Sequence, residues 1–156
     1  MDGLLDTALA WVEATGVAIA VGNSVSLTAW LSAIHLIGVT LVGGGALVAG
    51  LRCSGLLFAD QELRTVLQPA GRAIGAGVMV SVVTGVLLVS PRAVASAANG
   101  FFQWKMSFLL AAAACDVLFR RWGSRLDHRA AAAGGFLRSV LYGGVIVAGC
   151  AFILLE

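Results

Sequence analysis

Residues 24–51 read SVSLTAWLSAIHLIGVTLVGGGALVAGL and form one continuous apolar stretch, which ends at Arg52. About 20 apolar residues in a helix span the hydrocarbon core of a bilayer, so this stretch is long enough to cross a membrane with some tilt. Its only ionisable side chain is His35. An ionisable residue inside a membrane span is by default a candidate functional site. The sequence therefore directs attention to His35.

The composition of the whole chain indicates an integral membrane protein. The 156 residues suggest one domain; 60% of them are hydrophobic and 12% are charged, against about 25% charged in an average soluble protein. The mean hydropathy is +0.97. The net charge of +2 is small and scattered, which argues against a nucleic-acid partner and leaves the lipid bilayer as the expected environment.

The N-terminal segment, residues 3–21, is predicted to be an amphipathic helix lying in the membrane interface. Three acidic residues fall on one side of it, and Trp11 belongs at the level of the lipid headgroups. A signal peptide would begin with basic residues, which this segment lacks. A plain solvated N-terminus is the alternative. Asn23 and Ser24 then offer a break and an N-cap for the following helix. The three acids are Asp2, Asp6 and Glu13.

Four membrane-spanning helices are predicted after this segment, at residues 26–51, 70–90, 101–119 and 136–155. Pro69 suits the start of the second helix and Pro91 its end. Residues 90–100 are expected to be a short polar connection with a turn at Asn99-Gly100. The predicted fold is all-α: a single domain, residues 1–156, formed by an integral membrane four-helix bundle with an N-terminal interfacial helix.

The distribution of basic residues predicts the orientation. Two of the ten Lys and Arg residues, Arg92 and Lys105, flank the outer side, and eight flank the other. Since basic residues favour the cytoplasmic side, the first and third loops are placed inside and both termini outside. The eight inner residues are Arg52, Arg64, Arg72, Arg120, Arg121, Arg125, Arg129 and Arg138.

Helical rise places a small set of polar and soft side chains at one depth. His35 falls roughly 5 Å outside the midplane with Thr84 at the same level, Met106 falls about 6 Å outside, and Lys105 lies slightly further out. In a purely structural role, His35 would be a neutral imidazole hydrogen-bonded to Ser32 or Thr84. The functional interpretation is a haem ligand or a hydrogen-bond partner of a quinone.

A haem b site would depend on His35 as its metal ligand. The only other histidine, His128, belongs to a cytoplasmic loop, so two histidines of one chain cannot share a haem. Haem would need His35 alone, His35 with Met106, or a second copy of the chain. Any other metal is disfavoured because no carboxylate or second histidine lies at that depth.

The remaining ionisable and thiol groups favour structural roles. Asp116 is four residues from Arg120 and is interpreted as its ion-pair partner. A proton relay would need further ionisable groups along the bundle. The three cysteines lack metal-ligand spacing and are interpreted as small buried hydrophobes. No catalytic constellation is recognisable, so the sequence favours a protein that is not an enzyme. The cysteines are Cys53, Cys115 and Cys150.

Several short motifs resemble an uncharacterised family of small bacterial four-helix inner-membrane proteins, classed as a domain of unknown function. The resemblance implies a four-helix bundle with an interfacial helix in the bacterial inner membrane, and it implies no activity. In that membrane, the orientation predicted from the basic residues puts both termini in the periplasm. Members often carry a histidine where this chain has Arg120, which weakens a haem or proton-relay role here. The motifs are Trp30, His35 and Gly38, then LRCSGLLF, then Thr84, Gly85, Leu87, Leu88 and Ser90, and finally Ala98, Asn99, Phe101, Phe102 and Lys105.

Two functions follow as the leading expectations. The first is a non-catalytic accessory subunit that packs Gly-rich helix faces against a larger membrane complex, other subunits or a second copy of itself. The second is a transmembrane electron-transfer protein that binds haem b or a quinone at His35. A small-solute or metal-ion permease ranks last, because the helices offer only scattered hydroxyls as an internal polar path.

Overall fold

The computed structural model describes residues 2–122, 134, 136–137, 140–145 and 147, and this part of the chain is helical without a strand. The prediction of an all-α fold is therefore confirmed. The predicted helix at 136–155 lies partly outside the described residues, and those of its residues that are described are helical. The helices are α1 (Asp2–Glu13), α2 (Gly16–Asn23), α3 (Val25–Cys53), α4 (Leu63–Val89), α5 (Ala93–Ala98) and α6 (Gly100–Trp122), with a 3-10 turn at Ser90–Arg92.

Two helical segments are long and apolar enough to cross a membrane. The first is α3, with 29 residues, and the second is the continuous segment Leu63–Ala98, with 36. The bent pair of α1 and α2 would be a third if it forms one span. Large apolar side chains on these helices face outward; Ile37 is 61% exposed and Met79 is 71% exposed. An outward apolar face of this kind suits hydrocarbon rather than water.

The N-terminal segment is two helices rather than the single helix predicted at 3–21. They meet at a bend of 64° between α1 and α2. The hydroxyl of Thr15 donates to the carbonyl of Val12 at 2.7 Å and accepts from the backbone N–H of Ala18 at 3.3 Å. One side chain thus satisfies a carbonyl at the end of α1 and caps the start of α2, which stabilises the break.

The start of α3 agrees with the predicted N-cap. The hydroxyl of Ser24 accepts a hydrogen bond from the backbone N–H of Leu27 at 3.2 Å. The hydroxyl of Thr28 donates to the carbonyl of Val21 at 2.9 Å, which fixes α2 against the first turn of α3. The cap at Ser24 is confirmed.

Helix α4 begins at Leu63, upstream of the predicted start, so that Pro69 lies inside the helix rather than at its first position. Proline has no N–H and leaves the carbonyl four residues earlier, that of Thr65, without its helical partner. Thr65 and Pro69 are both exposed, so water or a headgroup can bind this carbonyl. The proline is tolerated for that reason.

The connection at 90–100 contains a 3-10 turn and α5, where a polar connection without helix was expected. It ends at Asn99, whose side-chain oxygen accepts hydrogen bonds from the backbone N–H of Phe101 at 2.9 Å and of Phe102 at 3.4 Å. The predicted turn at Asn99-Gly100 is thus the N-terminal cap of α6.

Helices α3 and α4 pack backbone to backbone at two glycines. A Cβ on Gly77 would lie 2.6 Å from the carbonyl oxygen of Gly38, and a Cβ on Gly38 would lie 3.0 Å from the carbonyl oxygen of Gly77. Further along α3, a Cβ on Gly45 would lie 2.8 Å from a side-chain carbon of Ile74 and 3.0 Å from the carbonyl oxygen of Ala70. Glycine thus allows close contact between two helices of the chain itself. Below the crossing, side chains from α3, α4, α6 and residue 142 form the buried cluster Val42, Ala46, Ile74, Ala112 and Tyr142.

Candidate functional site

His35 and Thr84 are hydrogen-bonded across the α3–α4 interface. Nδ1 of the imidazole lies 2.9 Å from the hydroxyl oxygen of Thr84, and Thr84 itself is 5% exposed. The same hydroxyl donates to the carbonyl of Val80 at 2.7 Å. Of the two partners that the sequence left open for the imidazole, the structure gives Thr84 and not Ser32.

Glycine residues make room for this contact. A Cβ on Gly85 would lie 3.3 Å from Cε1 and 3.7 Å from Nδ1 of His35, so the imidazole packs against the bare backbone of α4. Because Gly38 and Gly77 hold the two helix axes close together, the short Thr84 side chain reaches the ring without a bridging water. Small residues on both helices therefore position the imidazole.

The open side of His35 borders a cavity of about 350 Å³ between α3, α4 and α6. Apolar side chains dominate its walls, and polar groups enter at a few points, chiefly His35, Lys105 and Ser90. Such a cavity has the size and character of sites that bind small apolar molecules, where a few polar groups orient the ligand. The remaining wall is lined mainly by Val39, Val42, Val78, Val82, Val86, Val89, Phe102, Met106 and Leu109.

The cavity has a floor and a roof that the sequence did not predict. Tyr142, 2% exposed, belongs to both the buried cluster and the cavity wall and therefore forms the floor. Leu9 and Val12 of α1 line the opposite end together with Ala93. The sequence placed this helix in the lipid interface, so its contact with the cavity was not predicted.

The four predicted site residues thus come together as the helical rise indicated. His35, Lys105 and Met106 all line the cavity, and Thr84 lies directly behind the imidazole. Lys105 is near enough to His35 to interact with it electrostatically. The role of each of these residues in binding a ligand stays a prediction.

Ser81 is a residue of the cavity wall that the sequence analysis did not single out. Its Oγ is buried without a hydrogen-bond partner among the described residues. A Cβ on Gly38 would lie 2.6 Å from this oxygen, so Oγ is directed at the helix crossing. A buried hydroxyl without a partner lowers stability, which makes Ser81 a point to test.

Among the described residues, the other predicted groups form no second site. The side chains of Asp116 and Arg120, the loop with His128, and Cys150 lie outside the described residues. Cys53 and Cys115 are both partly buried, and neither is in a disulfide bond within the described part of the chain. Within the part of the chain that is described, no three His, Cys, Asp or Glu residues are placed to hold a metal ion.

Comparison of the chain with protein-family models, with curated proteins and with solved structures finds no match. The site must therefore be interpreted from its own geometry.

Proposed function

We propose that this protein is a four-helix membrane protein of the bacterial inner membrane that binds a quinone in the cavity beside His35. The spanning segments would be α3, α4, α6 and the predicted helix at 136–155, with α1 in the outer interface. This is the architecture expected from the resemblance to small bacterial inner-membrane proteins. Trp11, Trp30 and Trp104 support the placement: all three are more than half exposed, as tryptophans at a membrane interface are.

The observation that carries the proposal is the cavity itself. A volume of about 350 Å³ suits a single substituted ring, and valines, leucines and Phe102 offer that ring apolar walls. Lys105 supplies a donor for a quinone oxygen, and His35 supplies a ring nitrogen for the hydroxyl of the reduced form. The α1 roof lies toward the interface, where the polar end of a lipid-soluble quinone resides.

The same cavity bears on the predicted haem. His35 and Met106 both line it, so they are the side chains that would ligate a haem iron. A haem would give the purified protein a Soret band, whereas a quinone leaves the visible spectrum empty. Spectra of the oxidised and dithionite-reduced protein, recorded beside His35→Ala, distinguish these two ligands.

The test of quinone binding uses protein purified in a mild detergent. Organic extracts are examined by chromatography for quinones that co-purify with the wild type. Saturable binding of decylubiquinone, oxidised and reduced, is then measured by quenching of tryptophan fluorescence. We expect co-purification and saturation in the wild type. Binding should be weakened in Val78→Phe, which places a larger side chain at a cavity-lining position packed against the buried cluster and adds no tryptophan. A wild type that neither carries nor binds quinone would contradict the proposal.

A second function, the accessory subunit, rests on one feature of α4. Gly71 and Gly75 form a small-xxx-small pair, and a Cβ on either would meet nothing within 4 Å. This open glycine face suits contact with another transmembrane helix. Cross-linking in membranes tests it: a partner at fixed stoichiometry supports a subunit, a doubled mass supports a homo-oligomer, and Gly75→Ile should abolish either. A monomer without a partner would contradict this function.

A further inference from the structure

The hydrogen bonds behind His35 favour one of the two neutral tautomers of its ring. The hydroxyl hydrogen of Thr84 is directed to the carbonyl of Val80, at 2.7 Å. The Thr84 oxygen, 2.9 Å from Nδ1 of His35, is then left to accept. Because the Thr84 oxygen accepts, the hydrogen of a neutral imidazole is assigned to Nδ1.

This assignment leaves Nε2 with a lone pair. The ring lines the cavity, and its Cε1 and Nδ1 edge rests on Gly85. Nδ1 is engaged by α4, so Nε2 is the ring nitrogen available to a ligand. Within the cavity His35 therefore acts as a hydrogen-bond acceptor, complementary to a ligand that brings its own O–H group.

We infer that the cavity selects aromatic alcohols, the class of phenols and hydroquinones, whose hydroxyl donates to Nε2 of His35. A ligand carrying only a carbonyl or ether oxygen at this point would place lone pair against lone pair, which disfavours it. For the quinone proposed above, the reduced form is the one that the site holds more tightly. This inference rests on the proposed function and adds the oxidation state of the ligand.

The experiment compares two probes that differ in a single group, 4-hexylphenol and 4-hexylanisole, with the full chain in nanodiscs. Nanodiscs without protein correct for partition into lipid. Both probes should bind, the phenol about 3- to 10-fold more tightly, as one hydrogen bond in an apolar site would give. His35→Leu should bind the two about equally. Met106→Leu changes the same wall without removing a hydrogen-bonding group and should keep the preference.

The tautomer is also observed directly. Nitrogen-15 spectra of histidine-labelled wild-type protein distinguish the two ring nitrogens, and His128→Gln assigns the remaining signal to His35. We expect the Nδ1–H tautomer before ligand is added, and a shift of the Nε2 signal on addition of 4-hexylphenol but not of 4-hexylanisole. These spectra need no His35 variant, so they hold even if His35→Leu does not fold.

Each outcome has a distinct meaning. Equal affinities for the two probes, tighter anisole binding, or an Nε2–H tautomer would overturn the inference while leaving ligand binding in place. Failure of both probes and of decylubiquinone to bind would overturn the proposed function as well.

Discussion

Glu13 and Val94, far apart in the sequence, are joined by a hydrogen bond. Oε1 of Glu13 accepts from the backbone N–H of Val94 at 2.9 Å. The bond lies at the last residue of α1 and in the first turn of α5, where a carboxylate satisfies a free N–H group and is favoured by the helix dipole. It therefore fixes the roof of the cavity to the connection between α4 and α6.

Replacing Glu13 by alanine should loosen α1. A charge-assisted bond at a partly exposed site contributes about 1 kcal/mol, so amide hydrogens of α1 should exchange up to about tenfold faster, as measured by mass spectrometry of the peptides covering residues 2–13. Asp6→Asn is the matched control because Asp6 is an exposed acid on the same helix. Equal exchange in the two variants would show that the Glu13 bond does not hold α1.

Replacing Gly77 by alanine should destabilise the α3–α4 pair. The added methyl group would meet the Gly38 carbonyl at 2.6 Å and Cβ of Leu41 at 2.9 Å, contacts that force the helices apart. Overpacking of this kind costs about 1–3 kcal/mol, measured as the free energy of unfolding in mixed detergent and SDS.

Gly75→Ala is the control for that loss of stability. Gly75 lies on the same helix, and an added Cβ meets nothing within 4 Å. Alanine favours helix over glycine by up to about 1 kcal/mol, so Gly75→Ala should leave stability unchanged or raise it. If both variants lost stability equally, the close crossing at Gly77 would not be the cause.

Thr84→Val should weaken the contact between α3 and α4 because it removes the hydrogen bond to His35 while keeping the side-chain volume. Valine keeps the shape of threonine but offers Nδ1 of His35 no acceptor. Hydrogen bonds between membrane helices contribute roughly 0.6–2 kcal/mol, which is the expected decrease in the free energy of unfolding. Thr84→Ser keeps the hydroxyl and should stay closer to the wild type. A valine variant as stable as the serine variant would contradict the bond.

Ser81→Ala should not destabilise the protein, and it is expected to increase stability slightly. The Ser81 hydroxyl is buried without a hydrogen-bond partner in the described part of the molecule, and removing an unsatisfied polar group is neutral or favourable. Thermal unfolding followed by circular dichroism measures the effect, with Ser107→Ala as the control: that hydroxyl is exposed and donates to the Gln103 carbonyl at 2.9 Å. A loss of more than about 1 kcal/mol would mean that Ser81 has a partner.

Local patterns were sufficient to predict much of the fold. The length of the apolar run predicted α3 as a membrane span, and Ser24 at its start predicted the N-cap. Both features depend only on residues that are neighbours in the sequence. The rise per residue placed His35 and Thr84 at one depth, and the structure joins them. Each of these depends only on position along a helix.

The errors and omissions come from features that a linear pattern does not specify. Pro69 indicated a helix start, but it lies inside α4. Near an exposed helix end, water can bind the carbonyl that proline leaves without a helical partner. Thr15 can lie within a helix or cap one, and its two hydrogen bonds select the cap. The cavity roof was not predicted because Leu9 and Val12 face residues far away in the sequence.

The crossing of Gly38 and Gly77 limits how this chain can evolve. Each glycine lies against the carbonyl of the other. A larger residue at one position would need a smaller residue at the other, and no residue is smaller than glycine. Elsewhere in the bundle, paired changes of size can preserve the packing. Related sequences should therefore vary together at the valines of the cavity wall, while the two glycines stay fixed independently of each other.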